Sequence, residues 1–199
     1  ISFNDKEIKD IVNNINKKGF HCIENVFDSK TQELFVLKLH KLIKEKGNRY
    51  FSIINIFKYK ESPFYPIASN KDLNLMLKKV AEGILNRNIA ETETLNILRV
   101  VTGKNVATQK LNFHYDSYAL TALIPISIPK GRIKDCGHLV AFPNNRNIRS
   151  SFFVNLIEKS IMQNSLTRKI LALIINRNIN KYTYIMKPGN IYLFWGYRT

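Results

Sequence analysis

The chain has 199 residues, enough for one domain with a substantial core, and its 45% hydrophobic and 23% charged residues are those of an ordinary globular protein. Cys22 and Cys136 stand far apart and outside any Cys-x-x-Cys or Cys/His cluster, which argues against a disulfide framework or a zinc site and for a reducing compartment. The net charge of +16 would attract phosphate-bearing partners, but the lysines are scattered among Asn and Ile, as AT-rich coding would scatter them; nucleic acid is an open partner and not the favoured one.

No stretch approaches the ~20 apolar residues of a membrane span; the nearest, Ile170 to Ile175, is far too short. The opening "ISFNDKEIKD" mixes acidic and basic residues, unlike a signal peptide, so the expected location is the cytoplasm.

The first twenty residues predict an amphipathic helix. Asn4 or Asp5 caps it, Ile8, Ile11, Val12 and Ile15 form its apolar stripe, and Gly19 stops it. "FHCIENVF" (Phe20 to Phe27) reads as a short strand. Asp28 and Ser29 then precede a second helix, Lys30 to Lys46, ended by Gly47. Its basic run "KLHKLIKEKGNR" keeps Leu39, Leu42 and Ile43 inward, so the lysines read first as a solvated face. "YFSIINIF" (Tyr50 to Phe57) is strand-like or irregular, "ESPFYPIAS" is a loop with two prolines, and a third helix spans Lys71 to Leu85 after Ser69 and Asn70.

Beyond that point the period changes from helical to alternating. "TLNILRVVTG" (Thr94 to Gly103), "ATQKLNFHYD", "YALTALIPISI" and "GHLVAFP" (Gly137 to Pro143) are successive strand candidates. A helical excursion follows, then "KYTYIMK" and "NIYLFWGY", joined by a tight turn at Pro188-Gly189. The whole reads as a single domain, mainly β with α. A helical lead-in (residues 1–93) precedes a β core (94–199) that carries a helical insert at about 151–176. Hairpin-linked strands interrupted by an insert favour a jelly roll over a parallel sheet.

Within the strand-like run "LNFHYDSYALTALIPISIP", His114 and Asp116 lie two apart, so in a strand they share a face and aim at one point. That point is either solvent or a shared ligand. An imidazole and a carboxylate together suit a divalent first-row metal, and two histidines with one carboxylate form the open-sided non-haem Fe(II) arrangement.

"NFHYDSYALTALIPI", "GHLVAFPNNR" and "KPGNIYLFWGYRT", taken together, resemble the Fe(II)/2-oxoglutarate-dependent dioxygenases. The lead-in "IVNNINKKGFHCIENVFDSKTQELF" is similar to that of the phytanoyl-CoA dioxygenase-like branch. The resemblance covers nearly the whole chain and implies a double-stranded β-helix (jelly-roll) core. It implies His114 and Asp116 as iron ligands and catalytic centre, with Fe(II), 2-oxoglutarate and O2 as cofactor and co-substrates. The implied reaction decarboxylates 2-oxoglutarate to succinate and hydroxylates a C–H bond of a small-molecule substrate. The carboxylate at 116 favours hydroxylation, because halogenating relatives carry a small residue there.

By the same analogy, Thr121 points into the barrel and is a candidate to hydrogen-bond 2-oxoglutarate, a plain strand threonine being the alternative. Tyr118, two residues past Asp116, is a candidate contact for co-substrate or substrate. The third ligand, a distal histidine, and the basic residue that binds 2-oxoglutarate are expected beyond Thr199. The last core strands are also unaccounted for, so the reading favours a trimmed chain over an inactive protein. His138 reads as a polar residue at a strand start, and His21 and His40 as structural or solvated. Arg198 comes too early for the 2-oxoglutarate arginine and is given a role either in packing or in supporting the residues that touch the metal, with Phe194 and Trp195 in the core. Asn144, Asn145 and Arg146 form a loop at the barrel mouth, which turn chemistry explains without substrate. Two further readings stay open: an oxygenase acting on protein or nucleic acid, and an iron-free jelly-roll binding protein or pseudoenzyme.

Overall fold

The computed structural model describes residues 2–90, 94–103, 116, 118–133, 136–144, 164, 167, 170, 173–174 and 182–198. Local chemistry sets the first helix, α1 (Asp5–Lys18). Asn4 and Glu7 form a reciprocal capping box, and Gly19 closes the helix in the left-handed conformation (φ 73°), donating its N–H to the Ile15 carbonyl. A side chain at 19 would also press within 2.7 Å of the Pro143 Cβ. The chain turns straight into β1 (Phe20–Ile23), shorter than expected because Asn25 adopts a positive φ of 54°.

Helix α2 (Ser29–Lys46) starts at Asp28, whose carboxylate accepts the Thr31 N–H. β2 (Phe51–Ile54) resolves the ambiguous apolar segment. It pairs antiparallel with β3 (Ile97–Val100), and its partner's Leu98 and Val100 are buried in the core. The proline-bearing loop holds one helical turn, α3 (Tyr65–Ala68), before α4 (Lys71–Leu85), which Asn70 caps. α4 buries Leu73, Met76, Val80 and Ile84. It packs on α1, where Gly83 makes room for Val12, since a Cβ at 83 would lie 2.6 Å from Val12 Cγ2.

The remaining strands are β4 (Leu120–Leu123), β5 (Leu139–Val140), β6 (Thr183–Tyr184) and β7 (Ile191–Trp195). β7 is the centre of a three-stranded antiparallel sheet, order β1-β7-β4. All five of its residues are buried, and the alternation splits them between two faces. Ile191, Leu193 and Trp195 join the core cluster with Ile8, Ile11 and Ile15 of α1. On the other face Tyr192 packs with Phe20, whose ring lies 4.2 Å from that of Tyr184 on β6. The β5–β6 ribbon thus meets the sheet on the side away from the helices.

The protein is therefore mixed α/β with small antiparallel sheets, and among the described residues the strands do not close into a barrel. The expected strand at "ATQKLNFHYD" lies outside the described residues except for Asp116, and so does most of the insert at 151–176, of which residues 167, 170, 173 and 174 are helical. The lead-in also contributes strands to both halves: β1 pairs with β7 (Phe20 with Phe194), and β2 with β3. No helix among the described residues is long and apolar enough to cross a membrane.

Candidate functional site

β4 and β7 pair with Leu120 opposite Trp195 and Thr121 opposite Phe194. This register puts Thr121 on the face that looks away from the helices, alongside Phe194. The chain just before β4 folds back on it: Thr121 Oγ1 donates to Asp116 Oδ2 at 2.5 Å. At the end of β7 the chain enters a short 3-10 turn, Gly196–Arg198, and the Gly196 N–H donates to the Ala119 carbonyl at 3.0 Å.

Gly196 is where these pieces meet. A Cβ there would lie 2.9 Å from Asp116 Cβ and 3.1 Å from Thr121 Oγ1, and would run into the Tyr118 carbonyl oxygen. Absence of a side chain at 196 is what lets β7 pass this close to Asp116. Sequence reading passed over this glycine. Its only signal is its place, directly after the apolar run "IYLFW".

Asp116 and Thr121, both singled out from the sequence, are thus brought together, and both are part-buried. Tyr118 contributes its backbone, while its side chain is 53% exposed. His114 lies outside the described residues, and among the described residues no three His, Cys, Asp or Glu side chains are grouped to hold a metal. Of the two residues that the resemblance implies as metal ligands, Asp116 is the one within the described residues. A carboxylate whose orientation is set by a hydroxyl fits such a role, because outer hydrogen bonds fix ligand carboxylates in metal sites.

The other histidines have separate settings. His138 Nδ1 accepts the Met186 N–H at 3.2 Å, tying the start of β5 to the end of β6. His40 is exposed on α2. His21 lines a cleft of about 360 Å³ between α1 and β1, with Glu7, Asp10, Ile11 and Glu24. Burial there pushes its imidazole pKa down, Lys18 adds to the shift, and Asp10 opposes it.

Arg198 stacks its guanidinium 5.0 Å over the Trp195 ring, the packing role of the two expected of it. Trp195 itself is 5% exposed, and its Nε1 is buried without a hydrogen-bond partner. Asn144, expected in a loop at a barrel mouth, takes a positive φ of 56° and reaches toward the end of α1, its Nδ2 lying 3.5 Å from the Lys17 carbonyl.

Behind the β6–β7 turn sits a polar network that sequence reading also missed. Asn190 is 5% exposed; its Oδ1 accepts the Asn25 N–H at 3.0 Å, and its Nδ2 donates to Tyr192 Oη at 3.2 Å. Tyr192 Oη in turn accepts the Lys187 N–H at 2.7 Å. These bonds hold the Pro188-Gly189 turn, where Gly189 (φ 89°) accepts the Phe27 N–H through its carbonyl. Comparison of the chain with protein-family models, with curated proteins and with solved structures finds no match.

Proposed function

We propose that the chain forms an Fe(II)- and 2-oxoglutarate-dependent oxygenase that hydroxylates a C–H bond of a small-molecule substrate. One observation carries the reading: Asp116, the second member of the His-x-Asp pair, is part-buried with Oδ2 fixed by the Thr121 hydroxyl at 2.5 Å. Carboxylates that ligate metals are typically held by an outer hydrogen bond of this kind.

In this reading His114 and Asp116 hold the metal. Iron with 2-oxoglutarate and O2 supplies the oxidising power, which no side chain of the protein has. The chain's own residues supply position and dryness. Thr121 donates its proton to Oδ2 and fixes the plane of the carboxylate. Gly196 keeps β7 close enough to back that carboxylate without displacing it. Phe194 lies on the same face as Thr121, and Phe20, its partner across β1, packs against the rings of Tyr184 and Tyr192. Tyr118, two residues past Asp116 and 53% exposed, is in this reading the contact for co-substrate or substrate.

The test is anaerobic titration of the full-length protein with Fe(II) and 2-oxoglutarate, followed by the weak visible charge-transfer band of the chelate. The band is expected in the wild type and lost in His114→Ala and Asp116→Ala. A wild-type protein that stays folded and gives no band would leave the iron-free binding protein as the reading; an unchanged band in His114→Ala would remove that residue from the ligand set.

A further inference from the structure

Helix α2 has two faces, and among the described residues the core takes one. Phe35 and Leu39 go into the core. At about 100° per residue, Lys30, Leu34, Leu37, Lys41 and Lys44 lie in one stripe on the opposite side. All five are exposed, Leu34 at 48% and Leu37 at 67%. The stripe is about 21 Å long from Lys30 to Lys44. Two exposed leucines one turn apart are thus bracketed by lysines on a helix that already has a buried face.

We propose that this face of α2 docks the protein on an anionic phospholipid surface, with the helix lying in the plane of the headgroups. Charge and apolarity select that occupant together. The stripe and its flanks carry Lys30, Lys38, Lys41 and Lys44 against Glu33 and Glu45, within a chain of net charge +16. Lysines at both ends meet lipid phosphates, and Leu34 and Leu37 between them enter the headgroup–acyl boundary. A nucleic-acid backbone would use the lysines but would leave both leucines against a hydrated, charged surface. No membrane-spanning helix is involved; the contact is peripheral and reversible.

The test is co-sedimentation of the 199-residue chain with vesicles of phosphatidylcholine alone, or of phosphatidylcholine with phosphatidylglycerol, at moderate salt. Binding to the anionic vesicles is expected to exceed binding to the neutral ones by about tenfold or more. Two variants, Leu34→Ser with Leu37→Ser, and Lys30→Gln with Lys41→Gln and Lys44→Gln, are each expected to weaken it by about fivefold or more. A charge-matched control on the exposed side of α1, Lys6→Gln with Lys9→Gln and Lys17→Gln, is expected to bind as the wild type does. All substitutions are at exposed positions, and circular dichroism checks that the helices persist. Equal loss in the control would reduce the effect to overall charge and overturn the proposal. So would a leucine variant that binds like the wild type, or vesicle binding that an RNA homopolymer displaces while the leucine substitutions change nothing.

Discussion

Thr121 reaches back five residues to donate its hydroxyl proton to Asp116 Oδ2, at 2.5 Å, just where β4 pairs with the end of β7. The contact makes a strand side chain the keeper of a carboxylate that stands outside the strand. Thr121→Val, nearly the same in shape, is expected to cost about 1.5–3 kcal/mol, the range for a hydrogen bond to a charged group, with Thr121→Ser recovering most of it. Urea denaturation of the three proteins measures this, and equal midpoints would show that the bond does not hold the segment. If Asp116 is a metal ligand, the Val variant also broadens or shifts the Fe(II)–2-oxoglutarate band while the Ser variant does not.

Gly196→Ala tests the close approach of β7. The added Cβ would meet Asp116 Cβ and Thr121 Oγ1 at 2.9 and 3.1 Å, as well as the Tyr118 carbonyl. Backbone cannot swing away as a lysine tip can, so overpacking of about 1–3 kcal/mol is expected. By contrast Gly47→Ala faces no neighbour within 4 Å, though its φ of 84° adds backbone strain. Thermal melts of both should separate crowding from strain, with Gly196→Ala also perturbing the β4–β7 amide signals in NMR.

Asn190→Ala removes the hub of the buried turn network. It strands the Asn25 N–H and takes a partner from Tyr192 Oη. Losing an ordinary hydrogen bond costs about 0.5–1.5 kcal/mol, and the Tyr192→Phe variant, which takes the acceptor from Lys187 N–H, should show coupling with it in a double-mutant cycle. Strict additivity would mean that the two residues act separately.

His21 gives the stability a pH dependence of known sign. Burial, aided by Lys18 and opposed by Asp10, holds its folded pKa below the ordinary imidazole value. An unfolded histidine takes up its proton near pH 6.5, roughly, before the folded one does. In that window the unfolded chain binds more protons, so stability falls as the pH is lowered through it and the His21 contribution is complete only above it. His21→Gln is expected to flatten the stability profile between neutral and mildly acidic pH, read from denaturation midpoints. A profile as steep as the wild type's would assign the step to other groups.

Much of the helical half was legible in the residues because its signals are local. Asn4, Glu7 and Gly19 bound α1, Asp28 and Gly47 bound α2, and Asn70 starts α4, each through contacts a few residues apart in the chain. The pairing of His114 and Asp116 on one strand face was an inference from period two, and His114 and most of that strand lie outside the described residues. Asp116 and Thr121 were both picked out, but their mutual hydrogen bond was not, since a strand pattern says which face a side chain takes and not whom it meets there.

Sequence alone determined where α1, α2 and α4 start and stop, which residues form the core stripe of α1, and that an alternating half follows a helical one. Tertiary structure alone decided that β1 and β2, from the helical half, pair with β7 and β3, and that Gly196 rather than any polar residue admits β7 beside Asp116. It also decided that Asn190 anchors the last turn. The division has one physical cause: caps and amphipathic periods are written in neighbouring residues, whereas strand partners and close approaches join residues far apart in the chain, as Asn25 and Asn190 are at a separation of 165 positions, whose meeting no local pattern records.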